Sequence, residues 1–368
     1  MPSWGRPTSC TGAEFAGTCS RDADCDSVRA PMDVRSLPKV DLHRHLEGAI
    51  RLSTIIDIYR EAGEPLPADT AEELAPTAQV LRPMDSLEEV LSFFHIAQGA
   101  LRSYDAVERI AYEAVEDLAT DNVRLAELRF SPDFMCRPAG LDWDGAMESV
   151  LAGLERARSE HDVAVGLIAI VSRSYGLESA NRTVQFALRH REHLVGFDLA
   201  DDELAWPARE FVEVLEPLRP AGLPLTAHYG ESGGPEYPKE AIELLNVHRL
   251  GHGVSVAWSA DVTRLAVERG VVLEMCPTSN ARTRAVPSIE EHPARRLLQE
   301  GALVTINTDD PGLFGIDLTH ELEVARSDLG FDEADLRTVM ENAIAASFVP
   351  DSVKASVRRK HFGWLRAG

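Results

Sequence analysis

Two histidines stand one residue apart in the stretch DLHRH, His43 and His45. A third, His228, opens HYGE and is followed three positions later by Glu231. His252 lies between Gly251 and Gly253, and Asp309 and Asp310 precede Pro311. Imidazole nitrogen and carboxylate oxygen are the donor atoms that zinc accepts. Gathered around a divalent ion, neutral His43, His45 and His228 with ionised Asp309 make a site of net charge +1, with a position left for water. Bound zinc lowers the pKa of that water toward ~7, which yields a hydroxide nucleophile at neutral pH. Each residue taken alone has an ordinary reading. A lone histidine at a strand end is more often a satisfied polar residue. Asp309–Asp310–Pro311 suits a loop opening, Glu231 a helix cap, and His252 a structural place between glycines. The chemistry depends on whether the four ligands meet in space.

The elements that carry them supply the meeting point. Eight β-rich runs recur along the chain, at 37–45, 123–132, 163–173, 194–203, 223–231, 248–254, 271–280 and 302–311. Helical stretches lie between them at 104–121, 142–160, 177–190, 236–246, 259–269 and 290–300. In the first of these, Val107, Ile110, Ala111, Ala114, Val115 and Leu118 follow the three- and four-residue spacing of an amphipathic helix. Strand and helix alternating eight times predict a closed parallel (β/α)8 TIM barrel of the α/β class. A doubly wound open sheet would carry a glycine-rich turn after its first strand, and HRHLEG is not one. Carboxyl-terminal strand ends of a barrel converge on one mouth. His43 and His45, two apart on one strand, share a face toward the interior. So the four ligands are expected together, with Glu231, His252 and Asp310 beside them. The third run is the only one expected to end without such chemistry. The long gap after the first run predicts a helical insertion at 64–100, placed as a lid over the mouth. Beyond residue 317 two or three further helices should pack outside. Cys276 reads as a small buried hydrophobe.

The first 35 residues differ from the rest. They are rich in Gly, Ser, Thr, Asp and Pro and have no hydrophobic period, so a disordered tail at 1–35 and a single domain at 36–368 are expected. Met32 is a second candidate start. Three of the five cysteines, Cys10, Cys19 and Cys25, lie in that tail at spacings unlike a zinc finger's. The odd count argues against a disulfide framework and for a reducing, cytoplasmic setting. The net charge of −23 argues against nucleic acid or an anionic membrane surface as partner. No apolar run approaches the ~20 residues that span a bilayer.

Seven stretches carry a resemblance: LPKVDLHRHLEG (37–48), AELRFSP (126–132), GFDLADDE (196–203), HYGESGGPE (228–236), RLGHG (249–253), EMCPTSN (274–280) and NTDDP (307–311). In this order they resemble the adenosine deaminase family of metal-dependent barrel hydrolases. The resemblance implies one zinc ion per chain on His43, His45, His228 and Asp309. It implies that Glu231 protonates purine N1 and that His252 orients and stabilises the hydroxide attacking C6. Asp310 would hydrogen-bond N7, and the backbone N–H of Asp201 would meet N3. The products would be ammonia and the 6-oxopurine nucleoside. Three positions depart from the family pattern. Glu47 stands where an Asp usually meets the ribose 5′-hydroxyl, Tyr229 replaces an Ala, and Asp201 replaces a Gly. The Glu47 change directs the expected substrate to a 5′-modified adenosine, such as the aminodeoxyfutalosine of menaquinone synthesis. Adenosine or 2′-deoxyadenosine is the alternative, then free adenine. A non-enzymatic binding barrel would need a broken ligand set, and none is broken.

Overall fold

Eight parallel strands line up in chain order: β1 (Lys39–His45), β2 (Val123–Phe130), β3 (Ala164–Ser172), β4 (Gly196–Ala200), β5 (Thr226–Tyr229), β6 (Arg249–His252), β7 (Val272–Met275) and β8 (Leu303–Ile306). Each falls within one of the eight runs. The computed structural model describes residues 32–84 and 87–366. The strands pair as β1-β2-β3-β4 and β5-β6-β7-β8, all parallel. Two seams join these groups. At one, the Phe197 N–H donates to Pro224 O at 2.9 Å. At the other, Asp309 N–H donates to His43 O and His45 N–H to Asp309 O, both at 2.8 Å. Parallel bridges at Phe197–Leu225 and Arg44–Asp309 mark the same places. The sheet is thus closed, and the TIM barrel expected from the alternation is present.

The strands form because their residues can be buried on both faces. In β3, Val165, Leu167, Ile168, Ala169, Ile170 and Val171 are all buried, the continuous apolar run that a parallel strand between a barrel core and a helical ring requires. The strands are shorter than the runs because the polar ends turn at once into other structure. Pro132 begins the helix Pro132–Cys136, and Pro277 begins Pro277–Arg282, each supplying the fixed φ of a first helical turn.

The segment between β1 and β2 contains α1 (Leu52–Ala62), α2 (Ala71–Ala78), α3 (Leu87–Ala100) and α4 (Tyr104–Thr120), of which α2 and α3 lie within the expected insertion at 64–100. Val80, Met84 and Val90 of this insertion form an apolar cluster with Leu313 and Phe314, which follow β8. Val80 N–H donates to Leu313 O at 2.9 Å, and Gln79 Nε2 to Gly312 O at 2.7 Å. The insertion is thereby held against the barrel mouth. Three helices lie beyond residue 317, at Leu318–Ser327, Glu333–Ala346 and Asp351–His361.

The expected tail lies outside the described residues as far as residue 31. Its last positions do not extend it: Val34–Ser36 form a 3-10 turn with Val34 buried. Cys276 is fully buried, and burial raises its thiol well above the usual range. Among the described residues no helix is long and apolar enough to cross a membrane.

Glu321, on the helix Leu318–Ser327, is fully buried. One carboxyl oxygen accepts from Thr278 N–H at 3.1 Å, and the other has no partner. Burial pushes this carboxyl up to about 8. The folded chain therefore keeps a proton that the unfolded chain releases near 4.5, so stability falls as pH rises from about 4.5 through about 8. Glu321→Gln should remove that loss. Thermal denaturation at pH 8.5 should find the variant more stable by on the order of 1–3 kcal/mol, with the gap narrowing toward pH 5.5.

Candidate active site

The four expected ligands meet. His43 and His45 reach inward from the end of β1, His228 from β5, and Asp309 from the turn after β8. His43 Nε2 lies 3.1 Å from Asp309 Oδ1, and His45 Nε2 lies 3.3 Å from the same oxygen. His45 Nε2 and His228 Nε2 are 3.1 Å apart. All four donor atoms fall within 4.8 Å of one another. His43 Nε2 is buried without a hydrogen-bond partner. Donor atoms gathered within reach of one point from three buried groups and a partly buried one fit a cation.

The rings are aimed from behind. His43 Nδ1–H donates to Glu274 Oε2 at 2.8 Å, and His228 Nδ1–H to Asp198 Oδ1 at 3.2 Å. With Nδ1 occupied, Nε2 of each ring is left as the donor toward the centre. One guanidinium fixes both carboxylates. Arg129 reaches Asp198 at 2.7 Å, Glu274 at 2.9 Å and Leu42 O at 2.6 Å. Burial pushes Asp198 up, but His228 and Arg129 outweigh it and hold the carboxyl well below its usual range. Burial works the same way on Asp309, where His252, His43 and His45 prevail and keep it ionised. Ser279 Oγ donates to Asp309 Oδ2 at 2.7 Å.

Three site residues have left-handed backbone: Asp201 (φ 89°), His252 (φ 61°) and Asp309 (φ 62°). Asp and His tolerate this region better than most residues, at a cost of order 1–3 kcal/mol each. Gly251 must be glycine for a different reason. A Cβ there would lie 2.9 Å from His43 Cε1 and 3.2 Å from His228 Cα.

Glu231 stands on the loop after β5, with Oε2 3.6 Å from His252 Nε2. Burial raises its carboxyl, which favours the protonated acid. The loop is held by a residue the sequence reading left without a role. Glu203, after β4, accepts from Gly230 N–H (2.8 Å), Glu231 N–H (2.9 Å), Ser232 N–H (2.6 Å) and Gly233 N–H (2.7 Å). One carboxylate thus satisfies four consecutive backbone donors and sets where Glu231 emerges.

Beside the ligands opens a cavity of about 430 Å3 lined by His45, Glu47, Phe94, Phe134, Ile170 and Asp201, among others. The expected substrate contacts Glu47 and Asp201 both face it. Glu47 Oε1 accepts from Ser131 N–H at 2.7 Å, and burial pushes this carboxyl up to about 7. Asp310 is buried with Oδ1 unpartnered. Burial and the neighbouring Asp309 raise its carboxyl well above the usual range, which favours the protonated form. Gly48 makes room for it: a Cβ there would fall 1.7 Å from Asp310 Oδ1. Tyr229 is buried under the Arg173 guanidinium, 4.4 Å from its ring centroid, and does not line this cavity.

The reading of β3 as ending without chemistry needs correction. Arg173, next after β3, is fully buried and donates to Leu199 O (2.7 Å), Ala200 O (3.1 Å) and His228 O (2.9 Å). It ties together the ends of β4 and β5. Arg129, Asp198, Glu274 and Arg173 escaped the sequence reading, although a signal existed. Asp198, Glu274 and Arg173 are charged residues inside or just after otherwise apolar strands, and Arg129 alternates with Glu127 and apolar residues along β2.

Glu203 yields a test. Glu203→Ala leaves four loop N–H groups without their acceptor but touches no ligand. The variant should keep its metal content and lose kcat by roughly 10²-fold, the scale of general acid catalysis. Metal analysis beside steady-state kinetics would check both halves.

Residues 38–361 match the family model described as adenosine deaminase. A curated adenosine deaminase of Shewanella loihica is 38% identical over 322 residues, spanning 88% of this chain and 97% of that protein. Among solved structures, the adenine deaminase of Arthrobacter aurescens superposes with a TM-score of 0.83 at 27% identity, over 90% of this chain and 100% of that one. An amidohydrolase from Burkholderia ambifaria, solved with bound Zn, gives 0.81 at 28% identity, over 91% and 92%. With an intact ligand set at the mouth of a closed barrel and a match over most of its length, the chain belongs to the adenosine deaminase family of metal-dependent hydrolytic deaminases.

Proposed function

We propose that the site holds one zinc ion and hydrolyses the 6-amino group of a purine nucleoside, with adenosine and 2′-deoxyadenosine as substrates. The observation that carries this reading is the convergence of His43, His45, His228 and Asp309, with Glu231 and Asp310 nearby, whose carboxyls burial shifts toward the protonated form. Zinc supplies Lewis-acid stabilisation of charge growing on oxygen and makes water nucleophilic near pH 7. The chain supplies the rest. Glu231, whose carboxyl burial shifts toward the protonated form, donates its proton to N1, which makes C6 electrophilic. Asp310 donates to N7, and the Asp201 N–H meets N3. His252 faces the attacked carbon and orients the incoming oxygen. Water and the 6-aminopurine give the 6-oxopurine and ammonia.

The substrate order inverts the expectation drawn from Glu47 alone. Its carboxyl turns back to accept from Ser131 N–H and remains on the cavity wall. A buried carboxyl there calls for a hydroxyl-bearing ligand, and the 5′-hydroxyl of adenosine supplies one. The resemblance to curated adenosine deaminases points the same way. A second reading, a nucleoside extended at 5′ such as aminodeoxyfutalosine, draws on the apolar wall of Phe94, Phe134 and Ile170 in the same cavity.

A panel of adenosine, 2′-deoxyadenosine, 5′-deoxyadenosine, aminodeoxyfutalosine and adenine separates these readings. Adenosine should lead in kcat/KM, and 5′-deoxyadenosine should fall by roughly tenfold, the worth of one hydrogen bond of ~1.4 kcal/mol. Aminodeoxyfutalosine ahead of adenosine would instead select the second reading.

The metal is tested separately. The isolated protein should contain one zinc per chain, and His228→Ala and Asp309→Ala should lose zinc and turnover together. Full turnover after exhaustive chelation would reject it.

A further inference from the structure

His252 makes one contact that the reading above does not use. Its Nδ1 lies 3.0 Å from Asn280 Nδ2. Asn280 is fully buried, and its Oδ1 is met by two donors: Cys276 N–H at 3.3 Å and His292 Nε2 at 3.1 Å. His292 Nδ1 in turn faces the Ala294 N–H at 3.2 Å.

The proton positions along this chain follow from its two ends. A backbone N–H can only donate. Ala294 N–H therefore makes His292 Nδ1 an acceptor, which puts the proton of the neutral ring on Nε2. Burial lowers the His292 imidazole to about 3, so the ring is neutral at any working pH. His292 Nε2–H then donates to Asn280 Oδ1. Cys276 N–H, independently, requires the same atom to be oxygen. Both ends agree that the Asn280 atom facing His252 is the NH2 group. That group donates to His252 Nδ1, and the proton of a neutral His252 ring is left on Nε2. Nε2 is the atom 3.6 Å from Glu231, on the side of the reacting centre.

We infer that Asn280 and His292 are positioning residues that lock His252 in the Nε2–H tautomer, so that it meets the reacting oxygen as a hydrogen-bond donor and cannot accept a proton there. The catalytic consequence rests on the deaminase reading above, whereas the tautomer does not. His292 touches no ligand of the metal and lines no part of the substrate cavity. Its effect passes through one amide. A wrong histidine tautomer is a known route to large losses with geometry intact, as replacing the triad Asp of a serine protease by Asn illustrates.

The test reads the proton directly. Long-range proton–nitrogen correlation spectra of the full chain, metal-loaded and labelled with 15N-histidine, distinguish a ring protonated at Nε2 from one protonated at Nδ1. Loss of one signal set in His252→Asn assigns the residue. The wild-type ring should be protonated at Nε2, and protonation at Nδ1 alone would overturn the inference without any further variant. Asn280→Asp presents an acceptor to Nδ1. It should move the proton there and lower kcat for adenosine by at least ~10²-fold, with zinc content and KM within about twofold of wild type. Unchanged tautomer and kcat in this variant would refute the lock, and a parallel loss of zinc would assign Asn280 to the fold instead. His292→Ala should give mixed tautomers and a roughly tenfold fall in kcat. His292→Gln, whose amide can donate to Asn280 Oδ1, should restore both, and this pair carries the test if Asn280→Asp does not fold. A His292→Ala protein identical to wild type in tautomer and kcat would remove His292 from the chain of control. If wild type fails to turn over adenosine, the deaminase reading falls, and the tautomer measurement still decides the inference.

Discussion

Charge inside the barrel is the constraint on which the other features depend. Arg129 and Arg249 meet Glu127, Asp198 and Glu274 in the interior, and Asp309 closes the group at the mouth. Two guanidinium groups face four carboxylates. Unbalanced, a buried charge costs several kcal/mol even after relaxation. A divalent cation among His43, His45, His228 and Asp309 would bring this set to neutrality. The same logic sets the protonation of its neighbours. Asp310 and Glu231 lie beside Asp309 without a guanidinium of their own, so burial drives them toward the neutral acid. One field thus holds Asp309 ionised while shifting Asp310, its neighbour in sequence, and the distant Glu231 toward the protonated form.

Position matters as much as charge, and here it is set by backbone. Glu203 gathers four consecutive N–H groups to place Glu231, and Gly48 clears the space that Asp310 occupies. His252 is turned by left-handed backbone between two glycines, with Asn280 at its back. The residues that aim these groups come partly from neighbouring strands, as Arg129, Asp198 and Glu274 do, and partly from the turns and short helices that follow strands, as Glu203 and Asn280 do. Small shifts in those turns would therefore be felt at the chemistry before they were felt in stability.

Much of this was legible in the sequence. The alternation of apolar runs and amphipathic stretches specified the barrel, because a parallel strand has to be apolar on both faces. The convergence of His43, His45, His228 and Asp309 was legible because four such residues on the strand ends of one barrel must face one mouth. Arg129, Asp198, Glu274 and Glu203 were harder to read. A buried salt bridge joins strands far apart in sequence, and no local spacing announces which carboxylate finds which guanidinium. Arg173 was hidden by its neighbour, since SR at the end of β3 looks like an ordinary solvent-facing terminus until its bonds to Leu199, Ala200 and His228 are seen. The side chain of Tyr229 could have pointed either way until the alternation along β5 was fixed, with Thr226 and His228 on the inner face.

The two seams of the sheet divide the ligands evenly. His43 and His45 belong to the group β1–β4, and His228 and Asp309 to the group β5–β8. Neither group alone offers more than two of the four donors. A chain that has assembled one half alone would offer a cation at most two donors, and high affinity would require the seam between β8 and β1 that brings the two pairs together. That seam is stitched by the backbone of His43, His45 and Asp309 themselves. Any cation capture at this site would therefore be tied to completion of the barrel, as a latch is tied to a door already shut.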